Sequence, residues 1–178
     1  MWTIIAILLA AALVTFLIVV VSKPNSFRLQ RSITISAPPE AIYPYIADFN
    51  KWPQWSPWEK LDPNMTRSYG GPAEGLGATY DWSGTGKAGT GRMEIIEASP
   101  STRLLIKLQF VKPFKATNSA EFTLQPQDGA TVVTWAMFGP SPFITKLMHT
   151  FFSMEAMVGP DFEAGLKSLK SLSEGVQS

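Results

Sequence analysis

The sequence predicts an α+β domain, in which an antiparallel sheet of about seven strands packs against a long carboxyl-terminal helix, preceded by one membrane helix. Three patterns predict this arrangement. Residues 2–21 are almost wholly apolar, residues 27–138 alternate between apolar and polar in segments divided by turn residues, and residues 143–172 carry apolar residues at helical spacing. A chain of 178 residues has room for one such domain.

Composition excludes several classes of function. Fifteen Lys and Arg against fourteen Asp and Glu give a net charge of +1, so no strong field attracts nucleic acid and we expect no nucleic-acid partner. The absence of Cys excludes disulfides, thiolate metal sites and Cys nucleophiles. Because the chain has a single His, His149, we expect neither a metal site nor a cofactor.

The amino-terminal segment predicts a membrane span. Residues 2–21 contain no charge, Pro or Gly, and as a helix they would rise about 30 Å, the thickness of the hydrocarbon core. We therefore interpret residues 1–22 as a single-pass anchor whose partner is the lipid bilayer through residues 2–21. The alternative is a cleaved signal peptide with Val20 and Ser22 as a weak cleavage pair, but the basic leading region is absent and the apolar run is too long.

Basic residues follow the apolar segment. Lys23, Arg28 and Arg31 come with no acidic residue among them, which favours a cytoplasmic position for the rest of the chain. Residues 23–26 form a polar connector too short to let the domain move far from the bilayer. Residues 27–178 are predicted to be the ligand-binding domain.

The first elements of this domain are a strand, a short helix and an aromatic loop. Residues 27–35 alternate as a strand does. Pro39 and Glu40 suit the first turn of a helix, which Pro44 should kink or shorten. Residues 48–58 hold three Trp and two Pro, and we interpret the rings as a cap on one end of the sheet; the alternative is that they line a ligand mouth.

Six further strands are predicted between turn signals, and short connections make the sheet antiparallel. Alternation along each strand predicts one buried face and one solvated face. The expected bounds are residues 65–69, 76–82, 89–98, 103–111, 115–125 and 131–138.

The carboxyl-terminal part is predicted to form two helices. Apolar residues recur at helical spacing from Phe143 to Met154, and Gly159-Pro160-Asp161 is expected to start a second helix. The second helix has a clean apolar stripe, which needs a broad apolar surface such as the sheet provides. This stripe consists of Phe162, Leu166, Leu169 and Leu172.

Five segments of the chain together carry a family resemblance: residues 31–40 (RSITISAPPE), 52–59 (WPQWSPWE), 75–82 (GLGATYDW), 89–95 (GTGRMEI) and 157–163 (MVGPDFE). They resemble the START-like SRPBCC superfamily, specifically its bacterial polyketide cyclase/dehydrase-type branch. The resemblance runs from about Phe27 to Leu172, and some members of the branch carry an amino-terminal membrane helix. It implies the helix-grip fold, in which a curved sheet wraps around the final helix and encloses a cavity. The superfamily includes lipid carriers, hormone receptors, aromatic cyclases and chaperone activators, so it implies no single function.

Residues that could carry out catalysis are few. The Gly-rich residues 84–91 lie between two predicted strands, so we interpret them as a hairpin rather than a phosphate loop. His149 lies in an apolar segment and is interpreted as an interfacial or surface-edge residue rather than a general base. Asp161 and Glu163 suit a helix start better than an acid/base role. The sequence thus predicts no catalytic residue and no metal ligand, and whether the protein is an enzyme stays open, with a negative answer favoured.

Large apolar residues are predicted to point into the space between the sheet and the last helix. Ordinary core packing is the alternative for each of them, but Met and aromatic side chains also suit an adaptable apolar pocket. The predicted cavity-lining residues are Tyr80, Trp82, Met93, Phe110, Phe122, Trp135, Met137, Met148, Phe152, Met157 and Phe162.

The leading hypothesis is a membrane-anchored helix-grip domain that binds a hydrophobic small molecule or lipid. The anchor would hold the cavity mouth near the bilayer, and residues 143–154 would act as a lid or touch lipid. One alternative is a cyclase-like or hydrolytic enzyme that acts on an apolar substrate through Tyr80 or His149. Another is a protein-interaction module resembling chaperone activators, with the apolar segment before Gly159 as its surface. The sequence sets neither the ligand nor the oligomeric state.

Overall fold

The computed structural model describes residues 1–175. Along this part of the chain, four α-helices and seven strands are joined by short connections and by two 3₁₀ helices, at Phe49–Gln54 and Pro57–Lys60. The elements are α1 (Trp2–Val21), β1 (Ser26–Ile35), α2 (Pro39–Ala47), β2 (Thr66–Gly70), β3 (Thr79–Ser83), β4 (Thr90–Ser99), β5 (Arg103–Lys112), β6 (Ala116–Gln127), β7 (Ala130–Pro140), α3 (Phe143–Phe151) and α4 (Met154–Ser173).

The strands form one antiparallel sheet in the order β1-β7-β6-β5-β4-β3-β2, as the short connections predicted. Burial alternates along β1 as expected, with Leu29 and Ile35 buried and Gln30, Ser32 and Thr34 exposed. The largest difference is at β3, which begins at Thr79 rather than Leu76. Gly75 and Gly77 have positive φ angles of 76° and 85°, so the chain bends there before it can join the sheet.

One end of the sheet is the end that α1 joins, and we call it the α1 end. Ser26 of β1 pairs with Pro140 of β7 there, so β1 begins and β7 ends at this point. The antiparallel pairing brings the β3–β4 connection (residues 84–89) and the β5–β6 hairpin (residues 113–115) to the same end. The opposite, far end carries the β4–β5 and β6–β7 turns.

α4 closes the inner face of the sheet. Phe162, Leu166 and Leu169 on its predicted stripe are almost wholly buried. Arg31 of β1 joins the two elements, because its guanidinium lies 2.5 Å from Glu155 and 2.8 Å from Glu163 of α4. The fold is therefore the α+β helix grip expected from the sequence, with a curved sheet around a long terminal helix.

The join between the last two helices differs from the prediction. α4 begins at Met154, so the expectation that Gly159-Pro160-Asp161 starts the helix was wrong. Ser153 provides the cap instead, since its hydroxyl accepts a hydrogen bond from the Ala156 amide at 3.3 Å. Pro160 is the seventh residue of α4, where its ring removes the hydrogen bond to the Ala156 carbonyl, and the helix continues through it to Ser173.

α1 extends away from the domain as a single apolar helix. Apart from Val20, which is buried, and Phe16, which is partly buried, its side chains are exposed. Within the described residues it is the one helix with the length and hydropathy to cross a membrane. Its bounds agree with the predicted span, and its composition fits a single-pass anchor or a signal sequence.

Candidate functional site: an apolar cavity under the terminal helix

A cavity of about 270 Å³ lies between the sheet and the first half of α4. Its volume is close to the lower end of the range typical of small-molecule sites. The wall is mostly aromatic side chains, Met and short aliphatic side chains, with few polar groups. It consists of Trp52, Ser56, Trp58, Glu59, Met65, Tyr80, Trp82, Lys87, Ala88, Met93, Leu108, Phe110, Ala120, Trp135, Met137, Val158 and Phe162.

Strand alternation explains which side chains reach the cavity. Tyr80 and Trp82 are separated by one residue on β3, and so are Leu108 and Phe110 on β5, so each pair points to the same inner face. Trp82, Leu108 and Phe110 lie in the half of their strand nearer the α1 end, and so does Met93 of β4. Tyr80, the second residue of the short strand β3, pairs with Met93. The cavity therefore occupies one half of the space under α4.

Glu59 is the main charged group of the wall, and both of its carboxylate oxygens have partners. Tyr80 Oη donates to Glu59 Oε1 at 2.6 Å, and Arg67 Nε donates to Glu59 Oε2 at 2.6 Å. Burial, reinforced by the hydrogen bond to Glu59, raises the pKa of Tyr80, and the hydrogen bond to Glu59 also raises the pKa of Arg67. Arg67 and Glu59 therefore form an ion pair, and the Tyr80 phenol beside them stays protonated at neutral pH.

Trp135 contributes a donor without a partner. Its ring is stacked on Phe162 at 4.3 Å and on Phe122 at 4.9 Å, and the residue is almost wholly buried. The indole Nε1 makes no hydrogen bond with any described residue. A buried N–H without a partner costs about 1–3 kcal/mol, so an acceptor placed against it would stabilise the protein.

The aromatic loop belongs to both the core and the cavity wall. Trp52 and Trp55 are buried, and their indole nitrogens donate to the backbone oxygens of Ile46 at 3.0 Å and Tyr45 at 2.9 Å. Trp52 and Trp58 also line the cavity. The two interpretations of this segment, as a structural cap and as a ligand wall, are therefore compatible.

The β3–β4 connection contributes Lys87 and Ala88 to the cavity wall. Asp62 holds this connection, because its carboxylate accepts from the Thr85 amide at 2.7 Å and the Thr85 hydroxyl at 2.9 Å. These hydrogen bonds, with one from the Asn64 amide, lower the pKa of Asp62. The Gly-rich residues 84–91 thus lie between paired strands, as predicted.

Seven of the eleven predicted lining residues lie on the cavity wall. They are Tyr80, Trp82, Met93, Phe110, Trp135, Met137 and Phe162.

The other four lie elsewhere. Phe122 is fully buried and lies against Trp135 in the core. Met148, Phe152 and Met157 are 41%, 59% and 59% exposed and do not reach the wall. The break at Ser153 turns this segment outward, and helical spacing alone did not show which face points inward.

Sequence reasoning missed the polar part of the wall. No periodic pattern marks Glu59, the last residue of the WPQWSPWE segment, or Arg67 of β2 as part of a site. A carboxylate directly after three Trp was a usable signal, because a charge in an aromatic segment needs a partner when it is buried.

His149 does not line the cavity. It lies on α3 beside Phe27, with ring centroids 5.9 Å apart, and burial, with Lys23 nearby, lowers its pKa. Tyr80 and His149 therefore do not belong to one site. Glu163 forms an ion pair with Arg31, and among residues 1–175 no three His, Asp or Glu side chains come together as a metal site.

A curved antiparallel sheet that encloses an apolar cavity under its terminal helix defines a helix-grip protein. The chain belongs to the family described as polyketide cyclase/dehydrase and lipid transport, whose model matches residues 26–174. No curated protein matches the sequence.

Solved structures share the fold at low sequence identity. A solution structure from Thermobifida fusca is 20% identical with a TM-score of 0.62, covering 84% of this chain and 95% of its own. A crystal structure from Chromobacterium violaceum is 18% identical with a TM-score of 0.58, covering 85% and 99%. The Aha1 dimer from Colwellia psychrerythraea is 17% identical with a TM-score of 0.58, covering 85% and 99%. These similarities establish the SRPBCC-type fold.

Proposed function

We propose that this protein is a membrane-anchored carrier or receptor that binds a hydrophobic small molecule or lipid in the cavity under α4. Residues 1–22 are the anchor and residues 27–175 include the binding domain. The observation that carries the proposal is the 270 Å³ cavity with its aromatic and Met wall. The family description, which includes lipid transport, supports the same class of ligand.

The polar groups of the wall suggest what the ligand carries. Tyr80 Oη, which donates to Glu59, can still accept, so a largely apolar molecule with one hydroxyl group would match it. Because both Glu59 oxygens already accept hydrogen bonds, the site is better suited to holding a polar group than to abstracting a proton.

Bound ligand can be sought directly. We expect apolar molecules to be recovered by organic extraction and mass spectrometry from the full chain purified from membranes. Ala120→Phe, which projects a ring into the cavity from β6, should reduce recovery at least several-fold. Met137→Leu conserves volume on the same wall and is the matched control. Equal recovery from both variants, or none from the native chain, would contradict the proposal.

The same proposal places the domain on the cytoplasmic side, because Lys23, Arg28 and Arg31 follow α1 directly. Reporter fusions at the carboxyl end test this orientation. Activity of a reporter that works only outside the cytoplasm would reverse it.

A further inference from the structure

The α1 end of the molecule carries exposed apolar side chains in two places outside the cavity. One is the elbow where α3 meets α4, and the other is the β5–β6 hairpin with the last residues of β5. The side chains are 41–67% exposed: Ile144, Met148, Phe151 and Phe152 at the elbow, and Val111 and Phe114 at the hairpin. Water is a poor environment for six such side chains at one end of a domain.

α3 is fastened to the carboxyl-terminal part of α1. Lys146 Nζ donates to the Val21 carbonyl at 3.0 Å and to Asn25 Oδ1 at 2.7 Å. Lys23 Nζ in turn donates to the His149 carbonyl at 2.7 Å. The Lys146 amine thereby satisfies a terminal carbonyl of α1 at the negative end of its dipole. The position of α3 is therefore set relative to α1.

A contact at the carboxyl-terminal end of α3 indicates how deep α3 lies relative to the bilayer that α1 spans. The Phe151 ring packs against Phe16 with centroids 5.9 Å apart. Phe16 lies about 7.5 Å along the helix from Val21, at 1.5 Å per residue. When α1 spans the bilayer, Phe151 therefore lies several ångströms below the level at which α1 leaves it. Interfacial helices bury their apolar face about 5–10 Å, which agrees with this depth.

The polar groups of α3 are compatible with this environment. Lys146 is buried and hydrogen-bonded, and the Thr150 hydroxyl donates to the Lys146 carbonyl at 2.9 Å. Residues 143–152 include no acidic residue. Lys146 is the one Lys, Arg, Asp or Glu among residues 143–152, and its ammonium is already hydrogen-bonded to the Val21 carbonyl and to Asn25.

The hairpin has the composition of a membrane-binding loop. Lys112 and Lys115 flank Phe114, and Lys87 lies on the neighbouring connection at the same end of the sheet. All three Lys are exposed and have no ion-pair partner among residues 1–175. Lys residues close to an anionic leaflet contribute about 1 kcal/mol each.

We propose that the α1 end docks on the bilayer that α1 spans, with the α3–α4 elbow and the β5–β6 hairpin inserted into an anionic leaflet. This proposal rests on the membrane anchor of the proposed function. The cavity wall includes Phe110, which precedes the hairpin, and Val158, which follows the elbow. The ligand is thus a lipid or other bilayer-dissolved molecule that passes from the leaflet into the cavity without crossing water.

Site-directed fluorescence tests the docking, and the Cys-free chain suits it. The labelling variants are Ala116→Cys beside the hairpin, Thr145→Cys on α3 and, as the control, Gln127→Cys at the far end. Each full chain is labelled with an environment-sensitive dye and reconstituted in phosphatidylcholine vesicles containing phosphatidylglycerol. Nitroxide-bearing lipids should quench the dye at residues 116 and 145 several-fold more than at residue 127.

Substitutions in the β5–β6 hairpin test which side chains hold it against the bilayer. Phe114→Ser should lower quenching at residue 116 and leave residue 127 unchanged. Lys112→Glu combined with Lys115→Glu should do the same in anionic vesicles, with less effect in neutral ones.

Three results would overturn the docking. They are quenching at residue 116 no greater than at residue 127, quenching at residue 145 alone, and quenching that appears only at high protein density, which would indicate contact between copies. The outcome is separable from ligand binding. If nitroxide-bearing lipids quench the labels at residues 116 and 145 but no ligand is recovered, the proposed ligand is contradicted and the docking is not. If these labels are not quenched but a lipid is recovered, only the docking is contradicted.

Discussion

The two halves of the space under α4 are built from different side chains. The far half is filled by aliphatic residues that are at most 2% exposed, whereas the half near the α1 end surrounds the cavity with rings and Met. The filled half consists of Ile35, Ile42, Ile46, Ile95, Leu104, Ile106, Leu124, Val133, Leu166 and Leu169. The same sheet and helix thus provide a close-packed region and an open one.

The difference follows from the shapes of the side chains. Branched aliphatic groups of similar size interdigitate and fill space to crystal-like density. Flat rings stack on one another instead, as Trp135 does on Phe162, and leave space where their neighbours are small. Ala120 is such a neighbour on β6. The filled half is close-packed, and the half near the α1 end keeps the space that the proposed ligand would occupy.

The largest expected effect is in the filled half. Ile106→Ala removes a fully buried side chain and should lower the free energy of unfolding by about 2–5 kcal/mol. Met93→Ala should cost roughly half as much, because one side of Met93 already faces the cavity. Denaturant unfolding of the full chain in detergent measures both. Equal losses would show that the two halves are packed alike.

An intermediate effect is expected at the polar group of the open half. Glu59→Gln removes the charged partner of Arg67 and weakens the bond to Tyr80, at a cost of about 1.5–3 kcal/mol. Glu94→Gln on the outer face is the matched control and should change stability by less than about 0.5 kcal/mol. A loss at Glu59 as small as the control would mean that the ion pair is dispensable.

The smallest effect is a pH dependence at the β3–β4 connection, which Asp62 holds. The pKa of Asp62 is lowered in the folded protein, so its contribution is present above its unfolded pKa of about 3.9 and is lost as the pH falls through the folded value. Hydrogen exchange of residues 84–89 should therefore increase relative to the far-end turn at residues 128–129 as the solution is acidified. Asp62→Asn should abolish the acid-induced increase in exchange at residues 84–89 relative to residues 128–129. If the increase persists in this variant, a group other than Asp62 causes it.

Local patterns predicted most of the fold. Alternation and turn residues located all seven strands to within three residues, and the uncharged run of residues 2–21 located α1. The error at Gly159-Pro160 arose because proline is favoured in the first turn of a helix, whereas Pro160 lies in the interior of α4. The Ser153 cap starts the helix six residues before Gly159.

The site was less predictable than the fold. Period-two alternation assigned Tyr80, Met93 and Trp135 correctly to the inner face. It did not distinguish wall from core, as Phe122 shows, because both point inward. For α3 the spacing gave an amphipathic helix but not the direction of its apolar face.

The sequence by itself determined the membrane-length helix, the strands, the inner face of the sheet and the family. These depend on residues close together in the chain, where hydrophobic period and turn chemistry act. Only the tertiary structure decided that the cavity lies at the α1 end, that Glu59 joins Tyr80 and Arg67, and that Phe151 packs on Phe16. The physical reason is that such contacts join distant segments, whose meeting depends on the packing of the whole domain.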